Sequence, residues 1–303
     1  MAPAPDPLEP SAAALAWVAR AAGARAQVRG MRRLRGGGWH VNHIVEVRLA
    51  TGARRRFVLR RWARPGWAID DPDMTPEREA AVLALLERAR APVPRVVAVD
   101  PDGAAVGVPA LLETVLPGRR VVRPRDREVF ADRLAEPLAW IHAIDVERSA
   151  RDLIRYRRYY DPARLTPPEW SVRQATWERA LELAGRPVPM SAAGFIHRDY
   201  YHGNVLWTLG RISGVVDWTS ASFGPFAVDI GHARWNLVAS FERTTADRFL
   251  AAARALGVGA GYTPEWDVRT TLDVLPELRP GHDSLVALRR TEDHVARALA
   301  ELG

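Results

Sequence analysis

The chain has 303 residues, of which 48% are hydrophobic and 26% charged, the balance of a soluble globular protein of roughly two lobes. No apolar run approaches the ~18 residues of a membrane span, and the start, "MAPAPDPLEP", has neither the basic nor the apolar segment of a secretory signal. Cysteine is absent, which excludes a disulfide framework and thiolate metal sites, and a cytoplasmic location is expected. All 43 basic residues are arginine; without lysine there is no P-loop of the G-x-x-x-x-G-K-[ST] type and no lysine nucleophile. The net charge of +7 raises nucleic acid as a partner. The arginines of "MRRLR", "ARRRFVLRRW" and "RYRRYY" are dispersed among acidic residues with no recognised nucleic-acid signature, so no nucleic-acid partner is expected.

In chain order, "SAAALAWVARAAGAR" predicts a helix with Ser11 as its N-cap. "HIVEVRL" and "RFVLR" alternate apolar and polar residues around a turn at Thr51-Gly52, the pattern of antiparallel strands. "TPEREAAVLALLERARA" predicts an amphipathic helix capped by Thr75, with Pro76 in its first turn. "VPRVVAVD" and "VGVPALLETVL" read as further strands about a turn at Pro101-Asp102-Gly103. Pro117-Gly118 is the best boundary, giving lobes of 1–116 and 117–303. Beyond it, "REVFADRLAEPLAWIHAI" predicts a long helix kinked or broken at Pro137, and "PPEWSVRQATWERALELAG" a second ending at Gly185. "GFIHRDY", "NVLWT" and "RISGVVDWT" return to short strands before helices resume near Asp229.

Phosphoryl transfer from a nucleotide needs a cradle for the phosphates, ligands for Mg²⁺, and an acceptor for the proton of the attacking hydroxyl. Candidates for each occur in order. In "GGGWHVN" the glycines Gly36, Gly37 and Gly38 let the backbone approach phosphate oxygens, with Asn42 closing the stretch. Arg60, ending "FVLR", can pair with Glu79 on the following helix and contact phosphates; Arg61, on the opposite face of the strand, competes for that place. In "HRDYYHGN" Asp199 can accept a hydrogen bond from a substrate hydroxyl. Asn204 and Asp217 offer hard oxygen ligands suited to Mg²⁺. A carboxylate directly after "ISGVV" wants a partner, and a metal is one.

"FIHRDYYHGNVLW" followed by "GVVDW" resembles the H-x-D-x-x-x-x-N and metal-binding Asp motifs of the aminoglycoside phosphotransferase family, kinase-like phosphotransferases of small molecules. "GGGWHVN", "FVLR", "REAAVLALLERARAPVPRVV", "PALLETVLPG" and "DWTSASFGPFAVDIGHARW" are similar to the family's other segments, in the same order. The resemblance implies an α+β, protein-kinase-like two-lobed fold: a small antiparallel-sheet N-lobe with one key helix, and a larger, mainly helical C-lobe. It implies ATP or GTP as donor, Mg²⁺ as cofactor and a hydroxyl of a small molecule as acceptor. It further implies Asp199 as the catalytic carboxylate, Asn204 and Asp217 as metal ligands, Arg60 with Glu79 as the phosphate-anchoring pair, and Thr114 to Leu116 as the backbone that meets the base. His197 would pack the catalytic loop, and Asp229 would accept hydrogen bonds from its backbone.

Two departures stand out. Arginine follows His197, where glycine is common in the family, and Tyr201 stands where a Ser/Thr protein kinase has lysine; with "DWT" in place of "DFG" and no A-P-E segment, a protein substrate is disfavoured. Carboxylates in the C-terminal region are interleaved with arginines and accompanied by aromatics, so the acceptor is left open between polycationic and less polar, sugar-like compounds. The alternatives are a non-catalytic nucleotide-binding sensor on the same fold and an arginine-rich nucleic-acid binder. Oligomeric state has no sequence signal.

Overall fold

In the computed structural model, residues 8–34, 40–63, 74–146, 153–190 and 192–303 are described. The chain divides into two compact units, Met1–Pro117 with Trp218–Ser220, and Gly118–Asp217 with Ala221–Gly303.

The first unit is a five-stranded antiparallel sheet with two helices. Strands β1 (Gln27–Arg33), β2 (Val41–Arg48), β3 (Arg54–Arg61), β4 (Val96–Asp100) and β5 (Ala110–Thr114) are arranged in the order β1-β2-β3-β5-β4. Strict alternation in β2 buries Val41, His43, Val45 and Val47 on one face. Helix α1 (Ala12–Ala22), capped by the Ser11 hydroxyl accepting from the Ala14 amide, lays Ala14 and Val18 on that face against Val45, Val47, Leu59 and Leu112. Each such fully buried Val or Leu contributes about 1.5–3 kcal/mol. Helix α2 (Pro76–Arg88) begins as its sequence dictates, with Thr75 capping and Pro76 in the first turn, and turns Glu79 inward along with Val82, Leu83 and Leu86.

The second unit is mainly helical: α3 (Arg127–His142), α4 (Gln174–Gly185), α5 (Ala227–Ser240), α6 (Arg243–Ala255), α7 (Pro264–Leu272) and α8 (Leu285–Glu301). Two short antiparallel pairs are set among them: β6 (Ala193–Ile196) with β9 (Ser222–Pro225), and the hairpin of β7 (Val205–Thr208) and β8 (Arg211–Val215). One core joins Trp177 and Ala180 of α4 to Val268 and Leu272 of α7 and to Val295 and Leu299 of α8. Gly231 lets α5 approach α7 closely: a Cβ there would lie 2.7 Å from the Trp266 carbonyl oxygen.

Two expectations are corrected. Of the kink or break expected at Pro137, the break does not occur: helix α3 runs through Pro137 to His142, its buried face (Phe130, Leu134, Leu138, Ile141) outweighing the lost backbone bond. The second expected helix begins only at Gln174, because the prolines of "TPPEW" withdraw donors and fix an irregular approach. No helix among the described residues is long and apolar enough to cross a membrane.

Candidate active site

Of the residues singled out in the sequence, Arg60 and Glu79 meet in the first unit. Arg60 Nε donates to Glu79 Oε2 at 3.1 Å, with the two side chains 4% and 1% exposed. The carboxylate is further held by the Thr219 hydroxyl on Oε2 at 2.9 Å and the Trp218 amide on Oε1 at 3.1 Å, while Arg60 Nη2 also reaches Thr219 and His40 Nδ1. Arg61, its neighbour on the other face, donates to the Leu8 carbonyl. Of the two arginines, Arg60 is the one paired with Glu79.

Asn42 is paired in register with Arg60 across β2 and β3, and its buried Oδ1 has no hydrogen-bond partner. Gly36, Gly37 and Gly38 lie outside the described residues. At the end of β5, Thr114 commits its amide to the Arg95 carbonyl and its hydroxyl to the Arg95 amide, both at 2.9 Å. Leu116, two residues on, is in no such exchange.

The second unit carries the loop after β6. Asp229, fully buried near the start of α5, accepts the amides of His197 at 3.0 Å and Arg198 at 2.7 Å, and His142 Nε2 lies 3.0 Å from its Oδ2. His197 is itself fully buried, its Nε2 3.1 Å from the Val216 carbonyl oxygen. Arg198 adopts a left-handed backbone with φ 70°, which a glycine would take without strain. Its guanidinium offsets this by donating to the Arg157 carbonyl at 2.7 Å and lying 3.9 Å over the Tyr159 ring. Nearby, Asp273 accepts the Tyr159 amide and the Tyr156 hydroxyl. Burial pushes its carboxyl up to about 6, against the pull of Arg198 and these hydrogen bonds.

That loop presents Asp199 with its side chain 31% exposed. Asn204 Nδ2 donates to Asp199 Oδ2 and to its main-chain oxygen, both at 2.9 Å, leaving the amide oxygen of Asn204 uncommitted. Gly203 makes the bend possible, since a Cβ there would collide with the Tyr201 ring. Asn204 and Asp217 flank the β7–β8 hairpin. The register pairs Val205 with Val215, and the Val216 amide donates to the Asn204 carbonyl at 2.9 Å, so the hairpin brings its two ends side by side. Asp217 has φ 69°, a backbone strain of the kind that collects at functional sites. The Tyr201 phenol lies near both carboxylates: burial, then Asp199 and Asp217, push it well above its ordinary value. His202 is lowered to about 4 by burial and then by Arg120.

Sequence reasoning missed His232. This α5 residue places Nε2 3.0 Å from Asp199 Oδ1, its own side chain 7% exposed. A signal was available: Asp229 and His232 are three apart and share a helix face. Glu277 faces the same place; burial and then the Asp199 carboxylate raise its carboxyl above its ordinary value.

A mixed antiparallel-sheet unit and helical unit, with H-x-D-x-x-x-x-N ahead of a hairpin ending in Asp217, define the kinase-like class of phosphotransferases. The model of the phosphotransferase enzyme family (APH) matches residues 8–269, and the chain belongs to that family. Its fold is similar to that of a candidate aminoglycoside phosphotransferase from Ralstonia eutropha JMP134, with a TM-score of 0.62, 14% identity, and 95% of this chain and 97% of that chain covered. A thermostable variant of aminoglycoside phosphotransferase APH(4)-Ia, in ternary complex with ADP and hygromycin B, gives a TM-score of 0.61 at 17% identity, covering 90% and 95%. Macrolide 2'-phosphotransferase MphH from Brachybacterium faecium gives 0.54 at 19%, covering 94% and 97%. No curated protein matches the chain.

Proposed function

We propose that this enzyme transfers the γ-phosphoryl group of ATP to a hydroxyl of a small molecule bearing a protonated amine. The observation that carries the reading is Asp199, a part-exposed carboxylate fixed by its neighbours with lone pairs left to accept a substrate proton. The acceptor hydroxyl donates to Asp199; its oxygen then bonds to the γ-phosphorus as the bond to the β,γ-bridging oxygen breaks. ADP leaves, and the hydroxyl proton passes to the Asp199 carboxylate.

Arg60, oriented by Glu79, is assigned to the α- and β-phosphates, with Gly36, Gly37, Gly38 and Asn42 as the backbone and amide cradle. The base is assigned to the main chain of Leu116, since the Thr114 amide is already used within the sheet. Asn204 and Asp217 fit Mg²⁺. Among the described residues no cluster of three or more His, Asp or Glu could hold a metal, and Mg²⁺ suits one or two protein oxygens completed by water and phosphate. When bound, it supplies neutralisation of charge on the phosphate oxygens. ATP is the first choice of donor because similar folds are solved with ADP and AMP-PNP, and a cytoplasmic location goes with that reading.

The acceptor class rests on Glu277. Glu277 is exposed and Asp199 part-exposed; the Asp199 carboxylate disfavours the charge on Glu277, and a cationic nitrogen near both relieves that repulsion. The test is incubation with Mg·ATP or Mg·GTP and matched pairs of acceptors, each amino alcohol or amino sugar against its deaminated analogue, with products read by mass spectrometry. Phosphorylated product from the amine-bearing member is expected. Equal yields from both members overturn the acceptor class, and nucleotide left intact with every compound overturns the reading.

A further inference from the structure

The carboxylate of Asp199 is met at each oxygen by a residue from a different part of the unit. Asn204, five residues along the same loop, donates to Oδ2 at 2.9 Å, and His232 on α5 lies 3.0 Å from Oδ1. An ionised carboxylate only accepts, so an attractive contact at this distance calls for a proton on His232 Nε2. One donor cannot fix such a group, because rotation about the terminal Cβ–Cγ bond of aspartate is broad and roughly two-fold. A hydrogen bond on one oxygen and the close approach of the His232 ring to the other together restrict it.

His232 is itself held. It is buried, its ring meets Tyr201 edge-on at 6.1 Å, and it tilts against Trp235 at 5.8 Å. Trp235 is tied to α8 through a 3.3 Å bond from its indole to the Thr291 hydroxyl. On the preceding turn of α5, Asp229 grips the loop's backbone at His197 and Arg198. One face of α5 therefore sets the course of the loop through residue 229 and the plane of its carboxylate through residue 232.

We propose that His232 is a positioning residue for phosphoryl transfer, orienting the Asp199 carboxylate through its Nε2–H so that the lone pairs left open face the acceptor hydroxyl. The inference rests on the phosphotransferase role of Asp199. Its test is to compare His232→Ala, His232→Phe and His232→Gln with the wild type, because a glutamine amide can place an N–H near the Nε2 position whereas alanine and phenylalanine cannot. Steady-state kinetics with the accepted substrate should show kcat down about 10–100-fold in the Ala and Phe variants, the cost of a carboxylate displaced by about an ångström. KM for nucleotide should stay within about two-fold of wild type, and Gln should recover most of the loss. Thermal unfolding of each variant separates misfolding from misplacement, and Gln with Phe decides the matter if Ala does not fold.

A second measurement does not depend on turnover. ¹⁵N-histidine NMR of the intact protein should show His232, assigned by its loss in His232→Gln, as the Nε2–H tautomer, with a signal that moves in Asp199→Ala. An Ala kcat within three-fold of wild type, a Gln variant as slow as Phe, or an Nδ1–H tautomer each overturns the inference alone. An intact pair in a wild type that phosphorylates nothing overturns the role of Asp199, and the inference falls with it.

Discussion

Glu79 and Asp199 are both anchored carboxylates, one in each unit, and they are finished differently. Glu79 is 1% exposed, and both oxygens are occupied by donors from Arg60, Trp218 and Thr219. Asp199 is 31% exposed, accepts one side-chain hydrogen bond on Oδ2 from Asn204, and has His232 Nε2 3.0 Å from Oδ1. Saturation makes the first a structural clamp, costly to open but with nothing left to offer a substrate. Partial saturation makes the second a tool: its direction is fixed and its remaining lone pairs are in reach of solvent. The contrast is one of unused acceptor capacity, since both side chains have fixed neighbours.

The sharpest way to break the comparison is at the open carboxylate. Asp199→Asn should lower phosphoryl transfer by about 10²–10⁴-fold, the range for loss of a proton-accepting group, with the melting temperature almost unmoved. Rates of product formation and a thermal melt check both halves. At the closed carboxylate the expectation reverses. Glu79→Ala leaves the Arg60 guanidinium buried beside an empty acceptor, and urea unfolding should report a loss of about 3–5 kcal/mol.

Asp273 tests the same distinction by pH. Its folded value of about 6 against an ordinary 3.8 means that the native state holds this proton more tightly than the unfolded chain does. The cost of burying its charge is therefore absent in acid and grows as pH rises from about 4 through 6, reaching about 3 kcal/mol above that window. Asp273→Asn should unfold at the same urea concentration as wild type near pH 4 and be the more stable protein at pH 7.5. Equal stability at both would remove the argument. The smallest effect belongs to Arg54, 78% exposed and 3.2 Å from Glu46, whose replacement by Ala should change stability by about 0.5 kcal/mol or less.

Much of this was readable from local pattern. The antiparallel strands of the first unit announce themselves by alternation, and α2 by Thr75 and Pro76, because caps and pleats are written in neighbouring residues. The "HRDYYHGN" stretch and the interval to Asp217 gave the loop and hairpin for the same reason. What escaped depends on distant partners. Arg60 and Arg61 are equivalent by composition and differ only in meeting Glu79 or the Leu8 carbonyl. Strand β9 is "SFGP", whose glycine and proline argue against a strand until β6 pairs with it. Pro137 sits in a helix that packing preserves, and His232 becomes informative only when α5 is placed against a loop some thirty residues earlier.

The hairpin between Asn204 and Asp217 has a consequence for searching genomes. What keeps those two residues adjacent is the closing pair at the base, Val205 opposite Val215, together with the Val216 amide on the Asn204 carbonyl. The tip, where Leu209 and Gly210 both have positive φ, lies at the far end of the ladder and sets nothing at the base. Adding one residue to each strand at the tip would leave the base register untouched. The distance along the sequence is thus elastic, by paired additions at the tip or by a bulge such as the one at Ser213, and a motif search that fixes it at thirteen would pass over relatives with the same site on a longer or shorter finger.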